Sequence, residues 1–502
     1  MHFMMIQMRL KRETVYDLLF LLIVIVAIAI RLKYIFVERM WPDEALYAWY
    51  AQRLFTDPTL IFSKEIIEFH PPLFAVLLAI GRLFFSSDLA SRVIPFVFNI
   101  LGIIAIYLVG MQMSGRFLGL VGAVSLSFNY LYIDSGTHIL IDTPITTAYL
   151  LLALLLLRID CVSTCLGNIC VGLMAASIIL LKWSGMPVIL LLFSYYFFIS
   201  KQSTVLGRLK EKIPVLMIPM VTTLLLSLNN RIQMGKLFPD ISALQGQYLI
   251  KPFWYYMVNL HNILIAPFLL PFFLYGLFII ALKRDSKSML MGLWFIIIFL
   301  SISFIPEKTL RYSVPVIPGC LLISGLGVEI LIEKIFKIPK KVLIAKIICL
   351  VLVALSCWQL YPRTKALLGQ SISEYTGFRE AGQVIGQYFN SSARIFAGSP
   401  RAIRYYTGIN FVEYGGNLEK LPKSQLEFEK ILRDSQAPII LEVDYWERTQ
   451  PAWIFPLSQE KIKYLEQRGF RLVKVVTKSV MTAQDVDEPL PVAWIFIRDG
   501  KG

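Results

Sequence analysis

The chain has 502 residues, 57% hydrophobic and 17% charged, and its 49 Lys and Arg against 34 Asp and Glu give a formal net charge of +15. Apolar runs such as Leu18 to Ile30 and Ile296 to Phe304 recur too often for a soluble core, which excludes an ordinary soluble globular protein. The positive charge does not require nucleic acid, because the basic residues sit in short loops between apolar runs, the positive-inside pattern of a polytopic membrane protein.

Along the chain, Arg9, Lys11 and Arg12 precede an apolar stretch from Tyr16 to Phe36. That stretch is too long for the core of a signal peptide and has no small-residue cleavage site, so it reads as a first anchor with the N-terminus in the cytoplasm. Just beyond it lies Trp41-Pro42-Asp43-Glu44. A carboxylate at the membrane–water boundary is costly unless it faces a wet cavity, so Asp43 and Glu44 read as site residues. The bland alternative is a helix start, since acids suit a first turn and Pro42 suits its entry. Helix capping leaves the other polar groups on the same side unexplained.

The segment from Pro72 to Phe85 is apolar but short, about 14 residues, and such segments are more often interfacial than spanning. If it crossed, the basic loops at Lys201, Arg208, Lys210 and Lys212, at Lys283, Arg284 and Lys287, and at Lys334, Lys337, Lys340 and Lys341 would all face outward. If it lies in the interface, they face the cytoplasm with the N-terminus, as the charge rule demands. The expected architecture is therefore an α-helical bundle of about eleven spans: 16–37, 91–113, 117–134, 143–158, 166–181, 185–200, 213–230, 259–282, 288–305, 313–333 and 341–361. This membrane domain covers 1–361, with an outer loop at 38–90. The expected location is the plasma membrane.

Six cysteines are present and none follows Cys357; Cys161, Cys165 and Cys170 lack zinc-finger spacing, and neither a metal nor a disulfide is assigned to them. After Tyr361 long apolar runs stop, and 362–502 reads as a soluble α/β domain on the outer face. Strands are expected at Arg394–Ala397, Ile439–Val443, Leu472–Val476 and Ala493–Ile497, and helices near 424–433 and 459–468, the latter started by Ser458 and followed by Gly469. No Gly-rich phosphate loop accompanies the strands.

With this topology Asp43, Glu44, Glu68, His70, Arg92, Asp142, Lys182, Lys251 and Arg311 all fall at or near the outer face. Convergent polar groups of both signs suit an anionic substrate. Each also has an ordinary reading. Arg92 could anchor a helix end, and Lys182 could snorkel to the interface. His70 could shape the turn before Pro71-Pro72, and Asp142 could open a helix ahead of Pro144.

Five stretches, in order, resemble the polyprenyl-phosphate-dependent glycosyltransferases of the GT-C fold, nearest the group of protein O-mannosyltransferases and the lipid A aminoarabinose transferase. They are Pro42-Asp43-Glu44, Phe69-His70-Pro71-Pro72-Leu73, Ser91-Arg92, Asp142-Thr143-Pro144 and Lys251-Pro252-Phe253-Trp254-Tyr255-Tyr256. Lys182-Trp183-Ser184-Gly185, and Arg311-Tyr312 with Pro315 and Pro318, add weaker agreement. The resemblance covers roughly 10–360 and implies transfer of one sugar, mannose or another hexose or pentose, from a polyprenyl or dolichyl phosphate to a protein, lipid or glycan acceptor, with inversion. It implies membrane lipids as surroundings and no nucleic-acid partner.

Under that implication Asp43 is the candidate base, and Glu44 its helper. His70, Arg92, Lys251 and Arg311 are candidates to hold the lipid phosphate, with Asp142 and Lys182 at the same site. Tyr255, Tyr256 and Trp254 could stack on the sugar or lie in the interfacial aromatic belt, the belt being expected for at least two of the three. A divalent cation near Asp43, Glu68 and His70 stays open, because cationic side chains could neutralise the phosphate without one. The outer loop from Asn230 to Val258 is too short for the inserted domain of eukaryotic protein mannosyltransferases, which leaves the acceptor open. Two alternatives are weighed. A transporter or flippase of lipid-linked glycans should show repeats or broken, charged mid-membrane helices, and neither is evident. An oligosaccharyltransferase subunit should carry Trp-Trp-Asp-Tyr-Gly, and Val443-Asp444-Tyr445-Trp446-Glu447 is only an echo of it.

Overall fold

The computed structural model describes all residues except 1, 38, 68–69, 86, 160–164, 199–204, 239–250, 261–267, 284, 306–307, 448–449, 482–486 and 501–502. The chain divides into two compact units. One comprises Met1–Ile35 with Asp57–Lys365, and the other Phe36–Thr56 with Ala366–Gly502.

Among its described residues the first unit has helices and no strand. Six described helices are long and apolar enough to cross a membrane: Thr14–Ile35, Ser91–Met113, Lys212–Met234, Ser286–Phe304, Leu310–Ile335 and Pro339–Gly369. A seventh arises if Arg116–Ser127 and Tyr130–Thr137, bent by 63° at their junction, form one span. The apolar helices Leu166–Leu181, Trp183–Phe197 and Leu269–Lys283 are shorter. The count of about eleven spans expected is not confirmed by the described residues, where several of the expected spans are short apolar helices. The Leu73–Gly81 helix, in the segment expected to be interfacial, has nine residues and reaches about 14 Å, half a hydrocarbon core.

Close helix crossings are set by glycine. A Cβ on Gly110 would lie 2.7 Å from the Gly119 backbone, and one on Gly327 would lie 2.2 Å from the Phe272 carbonyl. The Ser87–Met113 helix can therefore press against Arg116–Ser127, and Ile317–Ile335 against Leu269–Lys283, at backbone contact. The 63° bend is fixed by Asn129, whose side chain accepts from the Tyr132 N–H at 3.1 Å and starts the second helix.

The second unit is built on a five-stranded sheet. In chain order the strands are β1 (Arg394–Ala397), β2 (Leu418–Lys420), β3 (Ile439–Asp444), β4 (Arg471–Met481) and β5 (Asp487–Arg498). Their spatial order is β2-β1-β3-β5-β4. β1 is parallel to β2 and β3, while β5 runs antiparallel to both β3 and β4. Every β3 residue is buried, as expected of a central strand covered on both faces. The core joins Phe396, Leu441, Val443 and Phe496 of the sheet to Phe428, Leu465 and Phe470. Of the helices, Gln425–Asp434 and Gln459–Glu466 start at Ser424 and Ser458, whose side chains accept from Glu427 N and Lys461 N. The sequence reading did not name the Phe378–Tyr388 and Pro400–Thr407 helices or β2.

Residues 36–56 cluster with this sheet unit and not with the helical one. The Met40 N–H donates to Tyr375 O at 3.0 Å, and the Trp41 ring lies 5.8 Å from that of Tyr375. The buried Arg404 guanidinium sits 4.4 Å from the centre of the Trp49 ring.

Candidate functional site

In the helical unit, polar residues gather where three helix beginnings meet. Asp142 opens the Asp142–Ile159 helix and is 1% exposed. A buried carboxylate must be paired or pay heavily for desolvation. Lys182 Nζ donates to its Oδ1 at 2.8 Å, and Arg311 Nε lies 3.3 Å from its Oδ2. Lys182 precedes the Trp183–Gly185 turn, and Arg311 lies in the 3₁₀ turn Leu310–Val316. The Tyr312 ring lies under both cations, 4.8 Å from Lys182 Nζ and 5.6 Å from the Arg311 guanidinium carbon. Lys182 therefore binds a carboxylate inside the fold, where the alternative was snorkelling to the interface.

A second knot continues from this one. Lys251 Nζ lies 4.5 Å from the centre of the Tyr255 ring and 3.4 Å from its hydroxyl. Tyr256, fully buried, donates its hydroxyl to Thr309 O at 3.1 Å, two residues before Arg311. Burial, aided by Tyr312, Tyr255 and the Asp142 charge, raises the Tyr256 phenol well above its ordinary pKa, so it stays a neutral donor. Lys308 is nearly buried and donates to Lys251 O at 3.0 Å and Ile305 O at 2.7 Å. Desolvation lowers its pKa. The aromatic run thus divides: Trp254 is 61% exposed and suits an interfacial belt, whereas Tyr256 is a core hydrogen-bond donor.

Other expected positions lie on different elements. Arg92, 3% exposed on the Ser87–Met113 helix, donates to Ile35 O at 3.4 Å, a long contact. His70 is half-buried ahead of the Leu73–Gly81 helix. Glu68 lies outside the described residues. Asp43 and His70 fall in different units, and no metal site is drawn from them. Among the described residues, no group of three or more His, Cys, Asp or Glu side chains is disposed to hold a metal ion.

Asp43 and Glu44 belong to the sheet unit and part company there. Both stand in the first turn of the Pro42–Thr56 helix. Glu44 is fully buried and its Oε2 accepts from the Trp41 N–H at 3.1 Å, a reach-back contact that fixes the helix start. Asp43 is 41% exposed at its side chain and lies 3.7 Å from Arg401 Nη1, a loose ion pair. The two acids are adjacent in sequence, but only Asp43 is accessible.

Sequence reasoning missed Lys308 and two polar pairs of the helical unit. Arg31 is fully buried and donates to Asn99, to Ala27 O at 3.1 Å and to Ser127 O at 3.0 Å. Asp134 and His138 lie 3.4 Å apart. The available signal was a charged residue inside an apolar run, which is a site hypothesis by default.

Comparison with known proteins bears on the fold. Residues 69–229 match the family model described as dolichyl-phosphate-mannose-protein mannosyltransferase, a segment that includes His70, Arg92, Asp142 and Lys182. No curated protein matches by sequence. Among solved structures, ArnT from Cupriavidus metallidurans bound to undecaprenyl phosphate is similar at 14% identity and a TM-score of 0.64, covering 96% of this chain and 98% of that one. The Archaeoglobus fulgidus oligosaccharyltransferase, in complex with Zn and sulfate, is similar at 11% identity and a TM-score of 0.58, over 93% of this chain and 73% of that one. The mycobacterial arabinofuranosyltransferase AftD is similar at 12% identity and a TM-score of 0.52, over 95% of this chain and 40% of that one. The chain has the GT-C fold of these membrane glycosyltransferases, and the resemblance to the polyprenyl-phosphate-dependent group holds.

Proposed function

We propose that this chain is an integral-membrane glycosyltransferase that moves a single sugar from a polyprenyl or dolichyl phosphate to an acceptor outside the cytoplasm. The observation that carries the reading is the pairing of two cations, Lys182 and Arg311, with one buried carboxylate, Asp142. Lys251 and Lys308 lie on the adjoining segments, so among the described residues of these contacts the cations outnumber the acid. A leaving lipid phosphate gains negative charge in the transition state, and prepositioned cations lower that barrier. Asp142 holds the side chains of Lys182 and Arg311 in place. Arg311 supplies a planar fork suited to phosphate, and Lys182 a point charge. The family match over 69–229 and the likeness to ArnT bound to undecaprenyl phosphate support a lipid-phosphate donor.

In this mechanism Asp43 takes the proton of the acceptor hydroxyl as it attacks the anomeric carbon. The sugar–phosphate bond breaks, and configuration inverts through the single displacement. Such a base contributes about 10² to 10⁴-fold. Glu44 keeps the helix start rigid, and His70 and Arg92 assist in holding the donor. The N-terminus is cytoplasmic and the sheet unit extracytoplasmic, following the loop charges. The test is sugar transfer by purified protein in nanodiscs, offered labelled polyprenyl-phosphate sugars with lipid, glycan and peptide acceptors. Transfer from a lipid phosphate and none from nucleotide sugars is the expected result. Lipid translocation without transfer would replace the reading by a flippase.

A further inference from the structure

The sheet unit holds a polar cluster that the transferase reading does not use. Glu442 and Asp444 lie two residues apart on β3, on one face of the strand, and both are fully buried. They stand at the C-terminal end of a parallel strand, where open α/β sheets place ligands. Each carboxylate is tethered by one oxygen only. Glu442 Oε2 accepts from Gly398 N at 3.0 Å, while Asp444 Oδ1 accepts from Trp446 N at 2.8 Å and Glu447 N at 2.7 Å. Glu442 Oε1 and Asp444 Oδ2 are buried without a hydrogen-bond partner.

Two neutral oxygens share that condition. Gln450 donates through Nε2 to Asp444 O at 2.5 Å and Glu447 O at 2.9 Å, which fixes the amide and leaves its buried Oε1 without a partner. Ser399 is 2% exposed and stands beside Asp444, and its Oγ also lacks a partner of hydrogen-bond geometry. A Cβ on Gly398 would come within 2.5 Å of Asp444 Oδ2 and 2.6 Å of Gln450 Oε1. The glycine therefore keeps open a space bordered by oxygens of both residues.

Oxygens crowded together away from water repel unless a positive charge sits among them. Among the described residues the donor set is oxygen only, two carboxylates, one amide carbonyl and one hydroxyl, with no sulfur or imidazole. Hard divalent cations prefer such ligands.

We propose that Glu442, Asp444, Gln450 and Ser399 form a binding site for a hard divalent cation of the calcium or magnesium kind. Gly398 provides the room, and solvent completes the coordination. The cation would tie the end of β3 to the turn that opens the Pro400–Thr407 helix, two residues before Arg401, the partner of Asp43 in the same unit. The site is structural and stands whether or not the transferase reading holds.

Terbium luminescence on the full chain in detergent, after chelator treatment, tests this, because Trp446 lies close enough to Asp444 to sensitise a bound lanthanide. Saturable emission displaced by calcium or magnesium is expected. It should weaken by about tenfold or more in the isosteric variants Glu442→Gln and Asp444→Asn, since affinity follows ligand charge. Thermal unfolding gives a readout that needs no variant: millimolar calcium or magnesium should raise the wild-type midpoint over that in chelator. The proposal is overturned if neither cation displaces terbium, if both variants bind like wild type, or if stability follows pH alone with no response to either cation. The last result would mean that the pair shares a proton.

Discussion

Arg311→Ala separates a role in holding phosphate from one in holding the fold together. Arg311 Nε lies 3.3 Å from Asp142 Oδ2, and the Asp142 side chain is 2% exposed. Removing Arg311 does not orphan that carboxylate, because Lys182 Nζ stays bonded to its other oxygen at 2.8 Å. The destabilisation should therefore stay below the roughly 3–5 kcal/mol of an uncompensated buried charge. Binding is another matter. A hydrogen bond to a charged group contributes about 1.5–3 kcal/mol, and each 1.4 kcal/mol is about tenfold in affinity. The variant should bind polyprenyl phosphate about 10- to 100-fold more weakly, and Arg311→Lys should fall between it and wild type. The assay is equilibrium binding of labelled polyprenyl phosphate to protein in nanodiscs, with polyprenol lacking phosphate as the control and thermal unfolding run in parallel. Wild-type affinity for the phosphate in Arg311→Ala, with the fold intact, would refute the reasoning.

Asp142→Asn leaves Lys182 and Arg311 facing an amide, so stability should fall by about 3 kcal/mol or more, read as a lower unfolding midpoint; an unchanged midpoint would contradict the buried pairing. Glu44→Ala removes the acceptor of the Trp41 N–H and should cost about 0.5–2 kcal/mol, whereas Asp43→Asn, at an exposed position, should leave thermal stability near wild type. The sheet unit should also lose some stability in acid. The Tyr464 hydroxyl, at 2.7 Å, and then Arg468 hold Glu429 below the ordinary carboxylate value of 4.5. A depressed acid contributes its stability above the unfolded value and loses it as pH falls through the lower folded one. Unfolding followed from pH 6 downward should show a decline beginning near the unfolded value, smaller in Glu429→Gln.

Local signals carried some of this molecule and not the rest. The strands at 394–397 and 439–444 and the helix opened by Ser458 follow from short apolar runs and a cap residue, which neighbours in sequence suffice to set. The Asp142 helix start was equally legible, but its two cationic partners come from 40 and more residues away, and only the fold brings them in. Asp43 and Glu44 show the limit most directly. Helix entry and an accessible acid need the same Pro-Asp-Glu letters, and their roles separate only once Glu44 turns inward to Trp41 and Asp43 outward to Arg401. Arg31 lies inside the first apolar stretch, and its carbonyl acceptor at Ser127 lies on another helix. Hydropathy periodicity reports which face is apolar; it is blind to polar matching across helices. The number of spans is likewise not confirmed, since the apolar helices at 166–181, 183–197 and 269–283 are short, and length and composition alone do not say whether they cross.

The most direct test of the central claim compares wild type with Asp43→Asn for sugar transfer from a polyprenyl-phosphate donor, with donor binding measured on the same preparations. The account predicts transfer by wild type, a loss of about 10² to 10⁴-fold in the variant, and unchanged donor affinity. A variant that transfers sugar as fast as wild type would contradict it.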